Sequence, residues 1–296
     1  MIDRKLANYA MTIDVEDYFH VAAFKDVISP DEWQQWTPRV EQNTQRLLEL
    51  FARLDMKATF FVLGWVAERY PGLVREIDEQ GHEVASHGYS HQLVFSQSPD
   101  TFRRETAQSK QLLEDITGKR ITGYRAASYS ITKASLWALD ILAELGFTWD
   151  SSIFPIHHDT YGMVGSPEEP YHLTTPSGAI LTEFPLSTAK LLGVAVPAAG
   201  GGYFRQYPYL LSKWLLSRAS EGGEKPAIFY LHPWEVDPDQ PRVPNAGWKS
   251  NFRHYTNLPR CLPRLERLCK DFPFTTVERV LGSHHINRSF HVSTLS

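Results

Sequence analysis

Residues 57–91 read KATFFVLGWVAERYPGLVREIDEQGHEVASHGYSH, and the order of elements in that stretch decides the fold. Residues 57–63 form an almost unbroken apolar run containing Thr59 and Phe60, the mark of a strand covered on both faces. Residues 66–80 follow with helical patterning, and Pro71 predicts a break or a fresh start inside it. Val84 and Ala85 then belong to a second short strand, after which Gly88 interrupts the regular backbone. That strand runs out into His87 and His91. One turn brings positions i and i+4 together, so the two imidazoles can converge on a single cation. The pair alone is thin support, because exposed histidines fall at this spacing by chance.

The same alternation extends in both directions. Residues 7–14 predict a first strand ending in acids, followed by a loop rich in aromatics over 18–36 and an amphipathic helix over 41–54. On that helix Leu47, Leu48, Leu50, Phe51 and Leu54 share one broad face. Downstream come a helix over 101–116 closed by Gly118, a strand over 121–127, a helix over 133–145 closed by Gly146, and a strand over 147–151. Residues 155–179 look irregular and polar. A strand over 180–184, a helix over 209–220 and a buried strand over 227–231 lead into His232-Pro233-Trp234. A last helix covers about 258–270, ahead of 274–277. Six or seven alternations without a long linker predict an α/β fold of parallel strands joined by helical crossovers, in a single domain over 1–296. The run Gly200-Gly201-Gly202 follows no clear strand and has no Lys-Ser/Thr tail, so it reads as a flexible loop rather than a phosphate cradle.

Composition narrows the function classes. With 42% apolar and 22% charged residues, the 296-residue chain is an ordinary globular protein. A formal charge of −4 argues against a nucleic-acid groove, which needs a basic excess. No apolar run approaches the roughly 20 residues that span a bilayer. Met1 to Lys5 lacks an apolar signal core, which sets the expectation of a cytoplasmic chain. Cys261 and Cys269, eight apart on one predicted helix, would stand about 12 Å apart along its axis, too far for a disulfide. They read as two buried thiols. Aromatic content of 12% offers faces suited to sugar rings.

Titratable side chains recur at the C-terminal ends of predicted strands: Asp14, Glu16 and Asp17, then His87 and His91, Arg125, Asp150 and His232. In a parallel α/β barrel this is the face on which sites are built. Each residue has a bland reading, an Asp as turn former or an Arg as surface cation, but five strands delivering such groups together predict one site. Two histidines and a carboxylate make a three-ligand shell with positions left for water and substrate. A second carboxylate can act as base, Arg125 can keep it ionised, and His232 can act as acid. These parts suit hydrolysis of an amide or ester.

On these residues the chain resembles the polysaccharide deacetylase family, also called the NodB homology or carbohydrate esterase 4 family, and within it the branch that accompanies bacterial exopolysaccharide genes. The acidic first motif matches Thr12-Ile13-Asp14-Val15-Glu16-Asp17-Tyr18. The His-x3-His motif matches His87 to His91, the Arg-x-Pro-x-aromatic motif Arg125-Ala126-Ala127-Ser128-Tyr129, and the Leu-His motif Leu231-His232. The fourth is placed at Trp149-Asp150-Ser151-Ser152. Two departures stand out: Val15 sits where the common motif has a second aspartate, and Ala127 replaces the proline.

The resemblance covers about 7–235, with 236–296 expected as an extension of this branch. It implies a distorted (β/α)7-like barrel, a divalent metal ion, with zinc expected, and an N-acetylated glycan as substrate, in exopolysaccharide biosynthesis. Asp14 would be the base, Arg125 its anchor, and His232 the acid oriented by Asp150. A backbone N–H near Tyr129 would face the oxyanion. His87, His91 and one acid would hold the metal. Glu16 is favoured for the third ligand by the acid-x-acid spacing of some members, if the strand stays extended through residue 16; a turn after Val15 would let Asp17 compete. Alternatives are a small-molecule amidase of the allantoinase-like branch and a catalytically degenerate glycan-binding module. The loops 155–179 and 197–207, with His157, His158, Tyr161, Tyr171, Tyr203 and Phe204, are expected to line the substrate cleft.

Overall fold

The computed structural model describes residues 7–157, 162–191 and 193–292. The strands are β1 (Tyr9–Val15), β2 (Thr59–Val62), β3 (Glu83–Ser86), β4 (Gly123–Tyr124), β5 (Trp149–Asp150), β6 (Tyr171–Thr174), β7 (Ile180–Glu183), β8 (Thr188–Leu191), β9 (Val194–Pro197), β10 (Ala227–Leu231), β11 (Phe274–Thr275) and β12 (Ser289–His291). The helices are α1 (Val40–Arg53), α2 (Gly64–Arg69), α3 (Pro71–Glu79), α4 (Pro99–Thr117), α5 (Trp137–Glu144), α6 (Gly201–Gln206), α7 (Tyr209–Ala219), α8 (Trp248–Tyr255), α9 (Leu258–Asp271) and α10 (Val277–Ser283).

Strand order in the main sheet is β10-β1-β2-β3-β4-β5-β7-β6-β12, with β11 also on β1. From β10 to β7 every pairing is parallel; β6 runs antiparallel to β7. Between β7 and β10 the gap is spanned by irregular chain. Ser187 Oγ accepts from Ile228 N (2.7 Å), and Tyr230 N donates to Ala199 O (2.6 Å). This closure needs Gly200, whose φ is 114° and where a Cβ would fall 2.3 Å from Tyr230 O. The curved sheet, the helical crossovers and the patched seam give the expected distorted barrel.

Sequence features account for the crossovers. Leu47, Leu48, Leu50 and Phe51 of α1 are buried, each worth roughly 1.5–3 kcal/mol of apolar burial. Pro71 separates α2 from α3 by opening the second helix at its first turn, where its missing N–H costs nothing. Ser98 caps α4 through its hydroxyl, and Gly118 ends it in the left-handed conformation.

Several expectations change. The strands near 121–127 and 147–151 shorten to two residues each, although ladder bonds continue beyond them, Arg125 N to Ser86 O at 2.9 Å and Ser151 N to Tyr124 O at 3.0 Å. Residues 155–179 are not wholly irregular: β6 lies there, its side chains alternating buried and half-buried with strand period. The glycine run is no loose loop, since Gly200 bridges to Tyr230 and Gly201 begins α6. Cys261 is buried and Cys269 half-buried, both free on α9. One apolar core runs from Tyr9 to Val292, drawing on nearly every element.

Candidate active site

The parallel strands deliver their C-terminal ends to one rim, and there a cavity of about 200 Å³ is lined by Asp14, Glu16, His87, His91, Tyr129 and His232, among others. A larger cleft of about 800 Å³ lies elsewhere, between Glu168, Lys190, Arg218 and Lys225. It is bigger but holds no cluster of metal-ligating groups among the described residues. The smaller cavity is the one that gathers the strand-end carboxylates and imidazoles.

Three groups there, Glu16, His87 and His91, bring ligand atoms within 4.8 Å of one another. His87 continues β3, and Gly88 (φ 72°) reverses the chain at once. The turn is tied down by Gly64 N to Gly88 O (2.8 Å) and Trp65 N to Tyr89 O (3.1 Å) at the start of α2. His91 is itself left-handed (φ 51°), a conformation that costs a non-glycine residue about 1 kcal/mol or more. Nδ1 of His87 donates to Arg125 O at 2.8 Å, which leaves Nε2 with its lone pair toward the cluster. Burial, with His91 nearby, drops the His87 pKa to about 4 in spite of Asp14 and Glu16, so the ring is neutral, as a ligand must be. His91 Nε2 lies 2.7 Å from Glu16 Oε2, and Trp234 Nε1 donates to Glu16 Oε1 at 3.2 Å. Burial works against ionising Glu16, yet His91 and His232 hold its carboxyl well below the usual carboxylate range. The donor set, one anion and two imidazoles, fits a divalent ion.

Of the two acids it is Glu16 that lies with the histidines, though not by the expected route. The strand does not stay extended: Glu16 N donates back to Asp14 O (3.0 Å), a tight turn at Val15. Asp17 is carried away from the cluster by that turn. Its Oδ2 accepts from the backbone N–H of Arg39 (2.6 Å) and Val40 (2.9 Å), and its Oδ1 from that of Tyr18 (2.9 Å). It caps the entry to α1.

Arg125 is fully buried and spends its guanidinium on fixed partners. Nη1 donates to Asp14 Oδ1 (2.7 Å) and Thr12 Oγ1 (2.8 Å), Nη2 to Ser151 Oγ (3.0 Å) and Nε to Ser151 O (3.2 Å). Its plane sits 4.0 Å from the Phe61 ring. Asp14 is thereby held with Oδ2 toward His232, whose Nε2 stands 4.0 Å away. That Nε2 is 3.5 Å from Glu16 Oε1. Burial opposes charge on His232, but Glu16, Glu235 and Asp14 raise its pKa to about 9.

Asp150 is not where its expected role requires. It sits opposite Glu183 of β7, its register partner, and both carboxyls are buried. Ser152 Oγ donates to Asp150 Oδ1 at 2.6 Å. The group on His232 is Glu235, whose Oε1 takes Nδ1–H at 2.7 Å and the His232 backbone N–H at 3.1 Å. Sequence reading missed it, although His232-Pro233-Trp234-Glu235 carries a capping-box signal, with Pro at the first helical position and Glu at the third. Tyr129 lies on the cavity wall, but its own N–H is committed to Ala126 O (3.1 Å). Ser128 and Tyr129 are both left-handed, φ 50° and 53°. Among the described residues, neither 155–179 nor 197–207 lines the cavity; Val21, Ala22 and Ala23 do. Phe204 and Tyr171 are core, and His158 and Tyr161 lie outside the described residues.

Residues 31–149 match the family model described as polysaccharide deacetylase, and residues 151–282 match one described as a domain of unknown function, DUF3473. The peptidoglycan deacetylase of Helicobacter pylori is 31% identical over 131 residues, 44% of this chain and 43% of its own. A peptidoglycan-N-acetylglucosamine deacetylase of Bacillus cereus is 32% identical over 75 residues, 25% of this chain and 27% of its own. The chain thus spans less than half the length of these curated relatives. A Mycobacterium smegmatis structure, solved as a candidate polysaccharide deacetylase, shares the fold with a TM-score of 0.62 at 21% identity, covering 92% of this chain and 85% of that one.

Proposed function

Residues 31–149 match the polysaccharide deacetylase family, and from that premise we propose that this chain hydrolyses the N-acetyl group of a hexosamine unit in a poly- or oligosaccharide, releasing acetate and a free amine. The observation that carries the reading is the convergence of Glu16, His87 and His91 with Asp14 and His232 on one small cavity. Glu16, His87 and His91 are the ligands we assign to a divalent ion, zinc by preference for a carboxylate and two imidazoles. When bound, such an ion supplies Lewis-acid polarisation of the acetyl carbonyl and of the attacking water.

The chain's own groups do the proton work. Asp14 takes a proton from the water as its oxygen bonds to the acetyl carbon, and Arg125 keeps that carboxylate aimed. His232 gives its Nε2 proton to the amine nitrogen as the C–N bond breaks. The Ser128 amide, beside Tyr129 on the cavity wall, is the donor we assign to the oxyanion, a contribution commonly worth about 3 kcal/mol. The names of the curated relatives favour an N-acetylglucosamine-containing glycan; the motif resemblance favours an exopolysaccharide. We further propose that 7–292 fold as one domain, since β10 and β11, from the segment matched by the second family model, pair with β1.

The test is acetate release from a panel of N-acetylated oligosaccharides and one small cyclic amide, with and without a chelator, alongside bound-metal content. Chelator-sensitive release from the oligosaccharides is expected. Release from the small amide alone, or metal-independent glycan binding without acetate, would replace the reading by one of its rivals.

A further inference from the structure

We infer that Arg205 and Glu235 are a positioning pair for His232, and that holding this pair is what the segment of unknown function contributes to the reaction. This deepens the deacetylase reading and rests on it for the role of His232. Glu235 is wholly buried and bidentate: one oxygen takes Nδ1–H (2.7 Å) and the backbone N–H (3.1 Å) of His232, the other takes Arg205 Nε (2.6 Å). Arg205, on α6, is 1% exposed. Its remaining donors go to three backbone carbonyls within 253–256, where α8 gives way to α9. Nη1 reaches His254 O (2.9 Å) and Thr256 O (2.7 Å), and Nη2 reaches Arg253 O (3.0 Å).

A buried arginine with that many fixed partners has one arrangement available, and a lysine could not reproduce it. The neighbouring rings add a second constraint. The His232 ring lies against Trp234 (5.2 Å, 19°), which stacks on His254 (4.1 Å, 14°), and His254 Nε2 is 2.6 Å from Gln240 Oε1. The His232 proton on Nδ1 is thus pinned, and Nε2 is the nitrogen presented to the cavity. A carboxylate on the far nitrogen of a catalytic imidazole sets its tautomer and steadies the charge it carries. Every residue in this chain of contacts lies within 151–282. The interior of that segment is therefore built around the proton donor, while the amino-terminal half holds the ligand cluster and the base.

The experiment compares the metal-loaded protein with Glu235→Gln and Arg205→Lys on two substrates: an N-acetylglucosamine oligomer, whose amine must be protonated to leave, and 4-nitrophenyl acetate, whose leaving group needs no proton. The expected result is a loss on the amide about 10- to 100-fold larger than on the ester, a part of the 10²–10⁴ that general acid catalysis supplies, with bound metal and thermal unfolding close to wild type for at least one variant. Equal losses on both substrates in a folded, metal-loaded variant would overturn the inference. A second readout stands apart from activity. Proton NMR of the wild type should show a strongly deshielded Nδ1 proton on His232 that disappears in Glu235→Gln; its absence from the wild type would overturn the pairing. If the wild type released no acetate while that resonance was present, the deacetylase reading would fail and the positioning pair would stand.

Discussion

Asp17 and Glu16 are adjacent acids with opposite destinies, and the difference is a single backbone turn. The Glu16 side chain has the reach to meet His91 from beyond the turn, whereas Asp17 is swung onto three backbone N–H groups. Glu16→Gln should therefore weaken divalent-metal affinity by about 100-fold or more, since it removes the one anion of the donor set. Asp17→Asn should leave metal affinity within error and cost on the order of 1 kcal/mol of stability, because an amide cannot accept from all three N–H groups. Isothermal titration with zinc and urea unfolding of both variants check this, and the reverse order of losses would move the ligand role to Asp17. The motif sets two adjacent carboxylates after Val15, and the turn there gives them different surroundings.

At the scale of elements, β5 and β7 face each other through Asp150 and Glu183. Burial raises Asp150 to about 6 and pushes Glu183 well above the usual carboxylate range, so the folded pair retains a proton that the unfolded chain has already released. The sign follows: from about pH 4 upward the folded state binds more protons than the unfolded one, so this pair's contribution falls as pH rises toward its raised titration range. Buried His87 and His254, with pKa values near 4 and 3, act in the opposite sense, losing stability as pH drops below about 6.5. The pair is isolated by difference. Asp150→Asn should gain on the wild type by on the order of 2 kcal/mol between pH 4 and 7, as read from denaturant unfolding at a series of pH values. Parallel stability curves would mean that no proton is held there. A strand-end aspartate reads from sequence as a site residue, but its partner across the sheet decides otherwise.

At the scale of the whole molecule, the boundary between the two matched families, at 150/151, cuts through one sheet and one core. β1 pairs with β2 on one side and with β10 on the other, and β11 joins it too. Leu258, Cys261, Leu265 and Leu268 of α9 sit in the same core as Met11, Ile13 and Leu47. Fragments 7–150 and 151–292 should each fail to unfold cooperatively by heat when made alone, since each would expose an unpaired β1 or β10 edge and half a core. Circular dichroism and calorimetry on the two pieces test this; a cooperative transition in either would show two domains. No helix among the described residues is long and apolar enough to cross a membrane.

What the sequence by itself determined is what local chemistry controls. Strand and helix alternation, the break at Pro71, the stop at Gly118 and the converging spacing of His87 and His91 are all set within a few residues by backbone sterics and periodicity. The rim of strand ends follows from that alternation, because parallel strands with helical crossovers must bring their C-terminal ends to one side. What only the tertiary structure decided depends on partners far apart in the chain. Asp150 meets Glu183 and not His232, Glu235 meets both His232 and Arg205, and Val21 to Ala23 rather than the described residues of the later loops wall the cavity. Each is a choice among several polar groups of similar type, and the sequence contains no term for the direction in which a buried side chain points. That direction is fixed by packing, since a buried charge takes whichever partner the closed barrel places within hydrogen-bonding reach.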